Sequence, residues 1–259
     1  MVTNSETFPI TRFTRESKSR ADKPAAREYL LTIYVNGQEL VTLLCSPEDS
    51  NYLAVGFLSS EGLIKSKDDI KKIEIDDWEG VARVEITGEI ERESRFFSKR
   101  LITSGCGGGA TFYSDADIVV AKVESQLKIS VDDVFTLAKE FQHHSEAYLS
   151  THGIHSAALC DGTNIRIFCE DVGRHNAVDK IFGKCLLEDM TTDNRLIISS
   201  GRLSSEIVRK VARRGIPILI SISAPTSLGV KIADTYGITL IASVRGGAFE
   251  VFTNDWRVI

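Results

Sequence analysis

Several things are missing from this sequence, and each absence removes a class of protein. No run approaches 18 consecutive apolar residues, so no membrane-spanning helix is expected. The opening MVTNSETFPITRFTRESKSR has no apolar centre of the kind a signal peptide carries, which places the expected location in the cytoplasm. Cysteine is sparse and odd in number: Cys45, Cys106, Cys160, Cys169 and Cys185, with no C-x-x-C pair among them. That argues against a disulfide framework and against a cysteine-rich zinc site, and leaves reduced thiols as the expectation. Positive charge is not in excess, and a net charge of -5 speaks against general nucleic-acid binding while leaving local basic pockets open. Internal repeats and low-complexity segments are also absent. What is present, 259 residues of which 42% are hydrophobic and 26% charged, suffices for one large domain or two smaller ones.

The first 27 residues are polar, mixed in charge and aperiodic, and are expected to form a mobile arm. Order is expected from Glu28. Tyr29, Leu31, Ile33 and Val35 alternate with their neighbours before Asn36-Gly37, and Leu40, Thr42 and Leu44 alternate after it, which predicts a β-hairpin with a two-residue turn. Ser46-Pro47-Glu48-Asp49 reads as a helix start with Ser46 as N-cap and Gly62 as the candidate C-cap. Strand-like runs at 70–75 and 81–86 and a basic segment at 92–100 complete a β-rich subdomain over 28–105. A second part, 106–259, opens with a glycine loop. There Ser130 and Asp133 can cap a helix carrying Val134, Leu137, Ala138 and Phe141 on one face. Apolar runs at 154–160, 164–169, 195–199, 216–222 and 238–244 then alternate with helical patterns starting near Arg174, Ser204 and Thr226. That pattern predicts βαβ units in a largely parallel sheet, an α/β fold.

One thiol stands apart. In LITSGCGGGA, residues 101–110, Cys106 is flanked by Gly105, Gly107, Gly108 and Gly109, a backbone that can bend or admit a ligand beside the sulfur. The bland alternative is a glycine turn carrying an incidental cysteine. A thiol of ordinary pKa is only about 3% thiolate at pH 7, so a working sulfur here needs nearby positive charge or helix N-termini.

Such charge follows the predicted strands. EDVGRHNAVDK, SSGRLSSE, SAPTS and RGGAF fall at one carboxyl edge of the sheet, where ligands bind in open α/β folds. Three of these stretches lead into helices, whose free N–H groups attract anions, and Arg174, Arg202 and Arg245 add forks suited to phosphate. Each arginine alone reads as a solvated surface charge; three at one edge, beside Ser200-Gly201 and Gly246-Gly247, read as a site for a phosphorylated or nucleotide-like ligand. His175, at a helix start between Arg174 and Asn176, suits either ligand orientation or capping. His152 and His155 evoke a zinc deaminase, but the glutamate two residues after a histidine and the P-C-x-x-C that its chemistry needs are missing. His155 is expected within a strand as a core or supporting residue, and His143 and His144 as surface residues late in a helix.

Taken together, GFLSSEGLI (56–64), the glycine-flanked Cys106, EDVGRHNAVDK (170–180), SSGRLSSEIVRK (199–210), GIPILISISAPTSLGV (215–230) and VRGGAFEVFT (244–253) closely resemble the formate dehydrogenase accessory protein family, FdhD. The resemblance is colinear from about Glu28 to the C-terminus. It implies a cytidine-deaminase-like mixed sheet flanked by helices, with a smaller β-rich N-terminal subdomain, no metal of its own, and a homodimer. It further implies a sulfur carrier that takes persulfide sulfur from a cysteine desulfurase and passes it to the molybdenum (or tungsten) bis-guanine-dinucleotide cofactor of formate dehydrogenase. The persulfide cysteine would be Cys106. The cofactor-binding stretch would be Ser243, Val244, Arg245, Gly246, Gly247 and Ala248, with Arg174, His175, Ser200, Gly201 and Arg202 beside it and GDP as a mimic of half the cofactor. A noncatalytic guanine-nucleotide-binding chaperone of the apoenzyme is the alternative. Two positions depart from the family pattern: Gly109 stands where many members have a second loop cysteine, and His152 where glycine is usual.

Overall fold

The Asn36-Gly37 pair sets the first architectural unit. Both residues take positive φ, 48° and 78°, as a type I′ turn requires, and Val35 pairs with Gln38 across it. The computed structural model describes residues 4–88, 101–102, 110–111 and 121–259. In it, β3 (Tyr29–Val35) and β4 (Gln38–Cys45) join β5 (Ile70–Asp76) and β6 (Val81–Ile86) in a four-stranded sheet of order β4-β3-β6-β5. Leu31, Ile33 and Val35 alternate inward and are fully buried, packing with Ala82, Val84 and the helix α1 (Ser50–Ser60).

Two expectations for this region are corrected. Residues 5–26 are a hairpin rather than an unstructured arm: β1 (Ser5–Phe13) pairs antiparallel with β2 (Lys18–Ala26) in unbroken register. Its turn is held by the Thr14 N–H to the Ser17 carbonyl and the Ser17 N–H to Thr14 Oγ1, both at 2.9 Å. Backbone pairing and a Thr-x-x-Ser turn make this element, so hydrophobic period carried no trace of it. Nor does Ser46 cap a helix. The helix α1 begins at Ser50 after Asp49 in the left-handed conformation, while Ser46 is buried and accepts the Val172 N–H at 3.0 Å. At the other end Gly62, at φ 79°, terminates α1 as its sequence position suggested.

Of residues 89–130, only the short strands β7 (Leu101–Ile102) and β8 (Ala110–Thr111) and residues 121–130 are described. Ser130 caps α2 (Val131–His144), accepting the Asp133 N–H at 3.0 Å, and α3 (Glu146–Thr151) ends at His152 with φ 55°. That left-handed conformation is the physical reason a glycine suits the position. The second sheet then forms from β9 (His155–Asp161), β10 (Asn164–Asp171), β11 (Leu196–Ser199), β12 (Ile218–Ser221), β13 (Thr239–Arg245) and β14 (Ala248–Thr253), in the order β10-β9-β11-β12-β13-β14. Helices α4 (Arg174–Leu187), α5 (Ser205–Arg213) and α6 (Ser227–Tyr236) pack on one face and α2 on the other.

This sheet is mixed, as the family resemblance implied, rather than largely parallel, as the pattern of runs suggested. Only β11-β12 and β12-β13 pair in parallel; β9 is antiparallel to both its neighbours and β14 is antiparallel to β13. The cause lies in two tight connections, at Gly162 and at Gly246-Gly247, all at positive φ, because a two-residue loop can join only antiparallel strands. Its central strands are buried on both faces: Ala157 and Leu159 face α4 and α5, Ala158 and Cys160 face α2.

The two sheets are tied together through α1 and α4, which approach to backbone contact. A Cβ on Gly56 would lie 1.8 Å from the Asp179 carbonyl oxygen, and one on Gly183 would lie 1.9 Å from that of Tyr52. Only glycine fits at either point.

Candidate functional site at the carboxyl edge of the mixed sheet

Because β9 runs antiparallel to both β10 and β11, the strands β10, β11, β12 and β13 all point the same way. The segments after Asp171, Ser199, Ser221 and Arg245 therefore share one edge, as the sequence pattern suggested. They are joined to one another there. Leu203 donates its N–H to Ala224 O at 3.2 Å, Thr226 to Leu203 O at 3.1 Å, and Ser243 to Ser223 O at 3.0 Å.

At the β10–α4 corner, Asp171 is fully buried and accepts from the Gly173 N–H and Asn176 Nδ2, both at 2.8 Å, and from the Ser46 N–H at 3.0 Å. Lys180 Nζ, equally buried, lies 2.8 Å from Asp171 Oδ2 and donates to Glu170 O at 3.0 Å. Asp171, Asn176 and Lys180 thus build the corner that starts α4. The next residue, Arg174, is only 6% exposed and lies against Gly201, where a Cβ would come within 2.7 Å of its own Cβ. Gly201 is there because the arginine stem occupies the space. The Gly201 N–H reaches Ser199 Oγ at 3.2 Å, and its carbonyl accepts from Ser221 Oγ at 2.8 Å. Arg202 and Arg245 are exposed.

His175 is partly buried, its Nε2 3.0 Å from Glu206 Oε2 and 3.4 Å from Ser204 Oγ. Burial, with Lys210 and Arg174 nearby, holds its pKa below the ordinary histidine value in spite of the carboxylate. Glu206 is pushed up by burial, but His175, Lys210 and Arg174 outweigh that and hold it low. The pair is therefore a neutral imidazole donating to a carboxylate. His175 spans α4 and α5 and is committed there.

The β13–β14 turn differs from the other three segments in leading into a strand. Ser243 sits at φ 57° within a register shift of β13, a conformation that costs a non-glycine residue on the order of 1–2 kcal/mol. Val244 packs into the core, so only its backbone faces outward. Gly246 and Gly247 take φ 60° and 78°, and Arg245 pairs with Ala248 across them. With strands spaced about 4.8 Å, this turn lies roughly 10 Å from the Arg174–Gly201 cluster, two strands away, a spacing that an extended ligand can bridge.

Cys106 lies outside the described residues. The other four thiols are all buried. Burial pushes Cys45, Cys160 and Cys169 up to about 12 and Cys185 to about 11, so none of them is a thiolate at neutral pH. Among the described residues no group of three or more His, Cys, Asp or Glu side chains is placed to hold a metal ion, and no helix is long and apolar enough to cross a membrane.

Sequence reasoning missed the buried charges behind this edge. Asp179 pairs with Lys210 and bonds Ser60, and Arg213 and Arg214 bond Ser60 O and Ser59 Oγ. Glu206 and Lys210 stand four apart in a helix, which reads in sequence as a solvated ion-pair face. No signal distinguishes that from burial.

Comparison with known proteins bears on the family. The FdhD/NarQ family model matches residues 26–259. A protein from Bacillus subtilis named sulfur carrier protein FdhD is 40% identical over 250 residues, covering 96% of this chain and 95% of its own. One of the same name from Bacillus pumilus is 42% identical over 232 residues, covering 89% and 88%. A crystal structure assigned as a formate dehydrogenase accessory protein, from Desulfotalea psychrophila, superposes with a TM-score of 0.80 at 26% identity, over 99% of this chain and 100% of that one. With the match extending over both sheets and every segment of the carboxyl edge, the chain belongs to the FdhD/NarQ family.

Proposed function

We propose that this protein is a sulfur carrier that serves formate dehydrogenase maturation through a persulfide on Cys106. The observation that carries this reading is the state of the other thiols: four of the five cysteines are buried and held protonated. Only Cys106 is left to act. Its thiolate attacks the terminal sulfur of a cysteine desulfurase persulfide; the new S–S bond forms as the donor's bond breaks, and the donor cysteine leaves as thiolate. The Cys106 S–S bond then breaks, Cys106 leaving as thiolate, and the released sulfane sulfur goes to the molybdenum (or tungsten) bis-guanine-dinucleotide cofactor, bound as substrate, whose reduced metal would supply the two electrons that turn it into sulfide. With Gly109 in place of a second loop cysteine, no resolving thiol in that loop takes part.

The carboxyl edge supports the cofactor half of this proposal. Arg202 and Arg245 supply exposed charged forks with the charge of the buried Arg174 behind them, the starts of α4, α5 and α6 supply free N–H groups, and Ser243–Ala248 supplies a glycine turn where backbone can approach a phosphate. Ser200 and Gly201 shape the floor, and His175, held by Glu206, fixes α4 against α5. The desulfurase and formate dehydrogenase are the partners, in the cytoplasm, with the carrier as a homodimer.

Intact-mass measurement after incubation with a desulfurase and cysteine tests the carrier. Wild type should gain one sulfur and Cys106→Ser none. Sulfur retained by the variant would move the site to another thiol, and no gain on wild type would leave a nucleotide-binding chaperone.

A further inference from the structure

His155 opens β9 at the same edge, directly across from Asp171 in the β9–β10 register. Its Nδ1 lies 3.2 Å from Ser200 Oγ. That hydroxyl oxygen already accepts the Ser156 N–H at 2.9 Å, and the Ser200 N–H returns to Ser156 O at 3.0 Å, so Ser200 is pinned from both sides. A hydroxyl that accepts still has one proton to donate, and the acceptor in reach of this one is Nδ1. Were Nδ1 to carry the hydrogen, the hydroxyl proton would have no partner among the described residues. The arrangement therefore favours the Nε2–H tautomer of the neutral ring, and none of the described residues bonds Nε2. Burial, then Arg174, His175 and Arg202, depress the pKa of His155 against the opposing pull of Asp171; those are the charged and titratable groups that face it. At pH 7 the ring is neutral. It offers a directed donor with no charge of its own, in a place where arginines already supply charge.

We propose that His155 is a ligand-binding residue of this edge, presenting Nε2–H to a phosphate oxygen of the bound nucleotide, and that Ser200 is the positioning residue that holds its tautomer. This rests on the reading of the edge as a phosphate site. An incoming phosphate favours the charged imidazole, whose second proton sits on Nδ1 with the half-buried Ser200 hydroxyl accepting it and turning its own proton to solvent, so binding draws in protons and tightens as pH falls from about 8 to 6. The strand position hid this role in sequence, where His155 reads as a core or supporting residue.

The test uses the full-length protein and GDP. Nitrogen-15 NMR of the imidazole, assigned by its loss in His155→Gln, should show the Nε2–H tautomer in the free protein and mixed tautomers in Ser200→Ala. GDP should raise the His155 pKa. Calorimetry in two buffers of different ionisation enthalpy should detect proton uptake in wild type and none in His155→Gln. His155→Leu should bind GDP about tenfold more weakly, and His155→Gln, which keeps an N–H donor and the chain's polarity, should fall between. An Nδ1–H tautomer, or GDP affinity and proton uptake unchanged in His155→Gln, overturns the inference while leaving the nucleotide site standing. Absence of GDP binding by wild type removes the site itself, and the inference with it.

Discussion

At the scale of single residues, the edge separates groups that hold shape from groups free to meet a ligand. Asp171, Asn176, Lys180 and Glu206 are buried and mutually bonded, whereas Arg202 and Arg245 reach solvent. Arg245 is the cleaner probe, because its turn glycines have open space around them and its loss creates no cavity. Removing one charge-assisted contact costs about 1.5–3 kcal/mol, or roughly ten- to hundredfold in affinity. Arg245→Ala should therefore bind GDP that much more weakly yet gain sulfur on Cys106 at the wild-type rate, since loading needs no cofactor. Formate dehydrogenase activity in cells carrying it should be lost at delivery. GDP affinity equal to wild type would remove the β13–β14 turn from the site and leave the phosphates to Arg174 and Arg202.

At the scale of elements, the packing of α1 on α4 carries the clearest requirement. Each helix presents one glycine to the other's backbone, and an added methyl at either would have to displace a carbonyl. Overpacking of this kind costs about 1–3 kcal/mol and more where backbone must move. Gly183→Ala should lower urea-unfolding stability by at least about 3 kcal/mol. Gly62→Ala, which meets open space but keeps a positive φ, should cost only about 1 kcal/mol. Since helix propensity alone would make Gly183→Ala stabilising, equal costs would mean that the α1 and α4 backbones part readily and the close approach is not what limits this position. The same elements mark what sequence could and could not disclose. Alternation announced β3 and β4, short apolar runs announced β9 to β13, and Ser130 announced its helix by a cap that forms as expected; Thr226 caps α6, whose start the sequence marks only approximately. Asp161-Gly162 and Gly246-Gly247 are hairpin signals, but the helical patterns near Arg174, Ser204 and Thr226 dominate the reading and suggest crossovers throughout. The β1–β2 hairpin was illegible because its strands bury little. His155 lies in a strand as expected, but its bond to Ser200, 45 positions away, has no trace in the sequence. Segments that converge by chain direction were legible, and partners fixed by tertiary contact were not.

For the molecule as a whole, the two sheets are joined by charge as well as by packing. Lys180–Asp171 ties the β4–α1 connection to the β10–α4 corner through Ser46, and Lys210–Asp179 ties α5 to α4 and to Ser60 of α1. Such pairs are far costlier to break than they are rewarding to form, so they act to hold one arrangement. Beside them stand two histidines, His155 and His175, whose burial lowers their pKa from 6.5. In the unfolded chain both take a proton near pH 6.5; in the folded protein they resist it. The unfolded state therefore binds more protons below pH 6.5, and folding stability is full above that value and falls as pH drops below it. Each histidine contributes up to about 1.4 kcal/mol per pH unit in that window, until the folded form protonates as well. Glu206, held low in the folded state, acts in the same direction at more acidic pH, since its stabilisation is lost as pH falls through its folded value. Urea unfolding should thus give nearly equal stabilities at pH 7.5 and 7.0 and a loss of about 1–3 kcal/mol by pH 5.5. In a His155→Gln, His175→Gln double variant the loss over the same interval should shrink by most of that amount, whatever the variant's stability at pH 7.5. Parallel curves for the two proteins would place the acid sensitivity in other groups and would mean that these two imidazoles protonate as readily in the folded protein as in the unfolded chain.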